Sequence, residues 1–276
     1  MPVVTVTDSA ARLPRNLLQS LGIRVVPLHI LLDGHDLRDG VDELPADLYQ
    51  REAGTAGAAP AELAAAYEAA LTDSVGAGVV AVHLSAELSS TMGSAKHAAR
   101  AFDGRVAVVD SRSAAMGSGF VALAAARAAS EGADLEHVVA QASSAVDRVH
   151  AFIVVQRLDN LRRSGRIGTA ASWLGTALAI KPLLRIDAGR LVLGQRVRTT
   201  SRAIAAMVEQ VLEVVGEQRA ELAVQHVDNA GAAAEVAATL ESALPACGPA
   251  IVTDLGPVLG VHLGPGAVGV VVCVAR

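Results

Sequence analysis

Three stretches of this 276-residue chain carry side chains able to do chemistry. The first is His262-Leu263-Gly264-Pro265-Gly266-Ala267-Val268-Gly269, which runs into an apolar strand at 270–274. A titratable imidazole stands there before a glycine-rich turn. Glycine lets backbone pass close to a ligand, and proline stiffens the turn. The string also matches G-x-G-x-x-G. A dinucleotide site needs a strand before that fingerprint and a helix after it, within a βαβ unit of about thirty residues. Here a β-branched run follows, so the dinucleotide reading fails. A ligand contact and a plain structural turn both remain open. The second stretch is Leu84-Ser85-Ala86-Glu87-Leu88-Ser89-Ser90-Thr91-Met92-Gly93-Ser94-Ala95. It follows a buried strand and opens a helix, where free N–H groups and the positive dipole end suit an anion. Ser89, Ser90 and Thr91 add hydroxyls. One serine suffices as a cap, so three in a row favour an anion site. The third stretch is Arg162-Arg163-Ser164-Gly165-Arg166, whose ordinary reading is a solvated charged face.

The other titratable groups read as structural. His29, His35 and Asp36 share a hairpin, but no third ligand stands at metal spacing. His83 lies within an apolar strand and reads as a satisfied core histidine; His226 ends a strand and is ambiguous. Lys181, before Pro182, reads as structural, neutralising a buried carboxylate. Cys247 and Cys273 lack metal-type spacing and lie in apolar surroundings, as expected of buried free thiols in a reducing cytoplasm.

Composition narrows the class. Apolar residues make up 52%, yet no uninterrupted run approaches the roughly 18 residues of a membrane span. Met1–Asp8 has no basic start or cleavable apolar segment and reads as a first strand. A net charge of −5 with mixed signs argues against nucleic acid as the main partner. No Walker A loop is present, so the chain is not expected to hydrolyse ATP itself.

The elements that must position these residues alternate along the chain. Strands are expected at 3–7, 23–32, 78–84 and 105–110. Asp33-Gly34 marks a tight turn, with 35–41 returning. Helices are expected at about 60–74, 89–102, 114–131 and 134–149, with a short one from Asp8-Ser9 and Pro14 to Gly22. Strand–helix alternation at this spacing implies a parallel sheet covered on both faces. From 150 onward the pattern changes. A strand at 150–156, a basic segment at 158–167, a helix at 170–179 and a hairpin at 181–186 and 190–197 precede a long amphipathic helix at 199–216. A strand, helix, strand, strand run completes the chain at 221–226, 229–244, 250–253 and 268–274. The fold class is therefore α/β with two domains, 1–150 built on a parallel sheet flanked by helices and 151–276 of mixed α/β type.

Taken together, these segments resemble the DegV family of bacterial fatty-acid-binding proteins, some of which are acyl-carrier subunits of fatty acid kinase. Val6-Thr7-Asp8-Ser9-Ala10 is similar to the family's opening and Arg38-Asp39-Gly40-Val41-Asp42 to its hairpin signature. The stretch from Leu84 to Ala95, Asp110-Ser111 with Gly117 and Gly119, and Arg163-Ser164-Gly165-Arg166-Ile167 fit as well. So do Ile180-Lys181-Pro182, Arg198-Thr199 and the stretch from His262 to Gly269. The resemblance implies a fatty acid held between two domains, its carboxylate on Thr55, Ser89 and His262 and its tail in an apolar tunnel. Ser90, Thr91, Gly264 and Gly266 would complete the surroundings. It also implies that Arg163 and Arg166 dock a separate kinase subunit, which supplies ATP and phosphorylates the carboxylate. Arginine suits this because its planar fork grips carboxylates and phosphates. No cofactor, metal or catalytic residue is implied, and the location is cytoplasmic.

The chemistry agrees. A buried carboxylate needs several donors, and a protonated imidazole would make the strongest bond. The tail adds ~0.8 kcal/mol per buried methylene before ordering costs. The chain departs from the family at Thr55-Ala56-Gly57-Ala58-Ala59-Pro60, where Thr-Ser-x-Pro-Ser is usual, so a softer loop with fewer donors is expected. Ser90 stands where glycine is usual and Met92 where an aromatic is usual. The rival class is a serine-hydrolase-like esterase with Ser89, His262 and Asp8 or Asp110 as a triad, although no G-x-S-x-G elbow surrounds Ser89. A binder without catalysis or ligand is a third.

Overall fold

The computed structural model describes residues 2–167 and 180–275. The helix expected at 170–179 lies outside them. The chain forms two compact units: residues 1–45 with 55–147, and residues 46–54 with 148–276.

The first unit holds a parallel sheet of β1 (Val4–Asp8), β2 (Arg24–Val26), β6 (Val79–His83) and β7 (Val106–Asp110), in the order β2-β1-β6-β7. All five residues of β6 are buried, so both faces of the sheet are covered. The cover comes from α2 (Pro60–Asp73) packed with α3 (Thr91–Ala99), and α4 (Met116–Ser130) packed with α5 (Leu135–Val146). A short α1 (Arg15–Ser20) links β1 to β2. From β1 the sheet extends to β2 on one side and β6 on the other. The carboxyl ends of β1 and β6 therefore flank a topological switch point, where open α/β sheets bind ligands.

The single strand expected over 23–32 is in fact two. It breaks at Pro27, which has no N–H for a ladder, and Leu28 N donates instead to Ser9 Oγ at 3.0 Å. The chain then enters a separate three-stranded sheet, in the order β4 (His35–Arg38), β3 (His29–Leu32), β5 (Gly54–Ala56). Asp33 and Gly34 both take positive φ, +49° and +78°, as a two-residue hairpin turn requires. His29 ties this sheet to α2. Its Nδ1 lies 2.6 Å from Asp36 and its Nε2 3.0 Å from Glu62. Burial lowers its pKa, but the two carboxylates outweigh burial and the net shift is upward. They lie on opposite ring nitrogens, and among the described residues no His, Cys, Asp and Glu cluster could hold a metal ion.

The second unit holds a six-stranded sheet in the order β10-β9-β8-β13-β11-β12. These are β8 (Val149–Val154), β9 (Lys181–Asp187), β10 (Arg190–Val197), β11 (Ala220–His226), β12 (Ile251–Asp254) and β13 (Val268–Val274). The seven residues of β13 are all buried, and the strand runs antiparallel to β8 and β11 on either side. α7 (Thr200–Val215) and α8 (Ala230–Ala243) close the core with Met207, Val211, Val236 and Leu240 against Phe152, Leu222 and Val270. A short α6 (Asp159–Arg163) follows β8.

Between β12 and β13 lies a helix the sequence pattern concealed, α9 (Gly256–Leu263). Gly256 and Gly260 lower its helix propensity, although Pro257 suits a first turn. Gly260 is there for contact: a Cβ at that position would lie 2.4–2.6 Å from the ring of Tyr49. Tyr49, in the short turn Leu48–Gln50, thus packs against α9 and joins residues 46–54 to the later unit. Cys273 is buried as expected, whereas Cys247 is half-buried, its Sγ accepting from Ala220 N at 3.3 Å. Among the described residues no helix is long and apolar enough to cross a membrane.

Candidate functional site

In the first unit the side chains of interest gather at the switch point. Asp8 ends β1 fully buried. Its Oδ1 accepts from Ala10 N at 3.1 Å, and its Oδ2 from Leu84 N and His83 Nδ1, each at 3.0 Å. With that ring proton aimed at Asp8, His83 Nε2 accepts from the Tyr67 hydroxyl at 2.9 Å. Burial, helped by the Asp8 charge, pushes the Tyr67 phenol well up, so it stays a donor. His83 is thus the satisfied core histidine expected. Asp8 is fully used within this unit, and Asp110 accepts from the backbone of Arg112 and Ala86. These engagements speak against either acid as the third member of a hydrolase triad.

The loop after β6 is tethered at both ends. Leu84 N reaches Asp8, and Ser85 N donates to Ser113 O at 2.8 Å. Ser89 N turns back onto Ser85 O at 3.1 Å. The Ser89 hydroxyl accepts from Thr91 N at 3.2 Å and lies 3.0 Å from Thr91 Oγ1. Ser89 thus takes up the first N–H of α3, while Ser90, at the cap position, makes no cap bond and is exposed. Ser89 is half-buried and Thr91 fully buried. Thr55 is half-buried in β5. Two residues on, a Cβ at Gly57 would lie 2.5 Å from Thr91 Oγ1 and 3.3 Å from Ser90 Oγ. Gly57 therefore does more than soften the loop. It lets the strand carrying Thr55 close on the start of α3.

In the second unit His262 sits in the last turn of α9, and Gly264 caps it with φ +78°. The following turn is locked. Gly266 N donates to Val227 O at 2.8 Å, and Gly266 O accepts from Gln156 Nε2 at 3.2 Å and Asn229 Nδ2 at 3.1 Å. A Cβ on Gly264 would lie 2.9 Å from Asn160 Nδ2, and one on Gly266 2.9 Å from Gln156 Cγ. Gln156 also accepts from Lys181 Nζ at its Oε1 and its backbone oxygen, and from Thr200. Lys181 therefore meets an amide and a carbonyl, not the buried carboxylate expected of it. His226 Nδ1 accepts from Asn229 N at 3.4 Å. Sequence reasoning missed Gln156 and Asn229; the polar residue closing an apolar strand was the only available signal.

Burial, reinforced by the positive charge of Arg166, lowers the pKa of His262 to about 4. In the ligand-free chain the imidazole is thus neutral near pH 7. The arginines also divide. Arg163 is exposed, but Arg166 is half-buried. Gly165 takes φ +73°, Arg166 N donates to Leu161 O and Gly165 N to Arg162 O. This glycine cap on α6 folds Arg166 back until His262 feels its charge.

A pH titration checks this. In lipid-free protein the His262 ring signals should move with a midpoint near 4, and Arg166→Ala should raise that midpoint by removing the repulsion. A midpoint near the ordinary 6.5 would refute the buried, Arg166-coupled imidazole. The stability that the neutral ring contributes is present above pH 6.5, and is lost as pH falls toward about 4.

The profile of an uncharacterised-protein family, DegV, matches residues 2–275. A DegV domain-containing protein of Mycobacterium tuberculosis is 60% identical over 272 residues, covering 99% of this chain and 97% of that protein. A DegV family protein from Thermus thermophilus, its structure described by its fatty acid binding, is 32% identical with a TM-score of 0.90, each chain covered completely. DegV of Bacillus subtilis, described as a fatty acid binding protein, is 28% identical with a TM-score of 0.90, again over both whole chains.

Proposed function

The chain belongs to the DegV family, and from that premise we propose that it binds a long-chain fatty acid and presents it to a separate ATP-dependent kinase. The observation that carries the binding is the full-length likeness to the Thermus protein. The chemistry of both units supports it. Thr55 and Ser89 offer hydroxyls beside α3, and His262 offers an imidazole on a turn braced by Gln156 and Asn229. We assign the carboxylate to these three side chains, with Ser90, Thr91, Gly264 and Gly266 around them and the tail in an apolar tunnel.

The protein is a carrier, not an enzyme, and works in the cytoplasm, where Cys247 and Cys273 stay reduced. Arg163 serves the kinase contact. Arg166 belongs to that basic segment too, but its charge at His262 gives it a second role, attracting the carboxylate. The esterase alternative is disfavoured by the partners that Asp8 and Asp110 already hold.

Organic extraction of the purified protein followed by mass spectrometry is the test. About one fatty acid per chain is expected, with no steady turnover of ATP or of a nitrophenyl ester. An empty protein whose ester turnover disappears with Ser89→Ala would overturn the carrier reading in favour of the hydrolase.

A further inference from the structure

Within the second unit, next to the His262 turn, lies a cleft of about 610 Å³ lined by Arg157, Asp159, Asn160, Arg162 and Arg163. Asn160 joins the two, since its Nδ2 lies 2.9 Å from where a Gly264 Cβ would stand. We propose that this cleft binds the phosphate end of a phosphate-bearing anion. Three guanidiniums line it against a single carboxylate. Asp159 answers Arg157, its Oδ2 accepting from Arg157 Nε at 2.6 Å. Arg163 is steadied by a neutral group, Nη2 donating to Asn160 Oδ1 at 2.7 Å. Two positive charges are left over within one helical turn. Asp159 stands three and four residues before them, as on an ordinary helix face, but its carboxylate is held by Arg157.

The lining is also held in place. Leu161 is buried and anchors α6 from beneath, and the glycine cap at Gly165 fixes where the helix ends. A guanidinium whose rotamer is already restrained loses less freedom when it grips an anion. Its planar fork matches phosphate oxygens in pairs. The volume falls within the range of small-molecule sites, so a diphosphate or phosphate ester can enter it as well as orthophosphate. This inference needs only the cleft and does not rest on the fatty-acid reading.

Calorimetry on the lipid-stripped full chain at low ionic strength tests it with three probes: inorganic phosphate, pyrophosphate and ADP. Saturable binding is expected, tighter for pyrophosphate and ADP than for phosphate, and weakening as salt rises. Arg162→Gln with Arg163→Gln should weaken it about tenfold for each arginine removed, with the thermal midpoint unchanged, since both side chains are exposed. The same titration with a long-chain alkyl phosphonate separates a lipid-borne phosphate from a nucleotide one. The absence of saturable binding for every phosphate probe would overturn the proposal. So would equal binding by the double variant, or binding of an acidic peptide alone. None of these outcomes bears on whether extraction yields a fatty acid, so the two readings fail separately.

Discussion

Replacing His262 with alanine is expected to weaken fatty-acid binding roughly tenfold or more. A hydrogen bond to a charged group contributes ~1.5–3 kcal/mol, and each 1.4 kcal/mol is about a factor of ten. His262 is half-buried, so the loss should lie within that range. Ser89→Ala should cost a similar factor plus something else. The Ser89 hydroxyl accepts from Thr91 N, so its removal also leaves the first N–H of α3 without that partner, at ~1 kcal/mol of stability. The two effects separate when affinity and thermal unfolding are measured on one delipidated preparation. His262→Ala should move affinity far more than stability, and Ser89→Ala should move both. Unchanged affinity in both variants would remove these residues from the head-group site.

The largest loss of stability is expected at Asp8. Alanine there strands three buried donors at once: Ala10 N, Leu84 N and His83 Nδ1. Each buried group left unpaired costs ~1–3 kcal/mol, and removing one member of a buried charged network costs ~3–5 kcal/mol. The expected total is about 3–5 kcal/mol, because relaxation of the loop recovers part of the sum. Tyr67→Phe, at the far end of the same chain of bonds, should cost only ~1 kcal/mol, since it removes one bond and leaves His83 held by Asp8. Denaturant unfolding of both variants is the measurement. A loss at Asp8 below that at Tyr67 would mean that the carboxylate does not hold the loop after β6.

Much of this fold was legible because its signals are local. The β-branched runs at β1, β6 and β13 can be little other than buried strands. Asp33-Gly34 specifies its own turn through positive φ. Pro60 and Thr199 announce the helices that follow them. What could not be read depends on partners distant in sequence. α9 was hidden because Gly260 is selected by the ring of Tyr49, against its own helix propensity. The run through Pro27 looked like one strand because both halves are apolar, and only the bond from Leu28 N to Ser9 shows where the ladder ends. Ser89 and Thr91 stood out by residue type, whereas Gly57 looked only like a softening of the loop until its closeness to Thr91 was visible. For His262 the residue was legible and its charge state was not. Desolvation and Arg166 determine that, and neither is written in the spacing of the turn.

The insertion of Tyr49 beside Gly260 has a consequence for synthesis. At ~5–20 residues per second, Tyr49 leaves the ribosome roughly ten to forty seconds before Gly260 is made. Throughout that interval residues 46–54 sit in a nascent chain whose own partner does not yet exist. The first unit must therefore pair its sheet around a tethered loop that it cannot use. A fragment cut after Asp147 would keep that loop permanently, with an aromatic side chain and nowhere to put it. A clean separation of the two units requires excising residues 46–54 and supplying them, in trans or by permutation, to the later half.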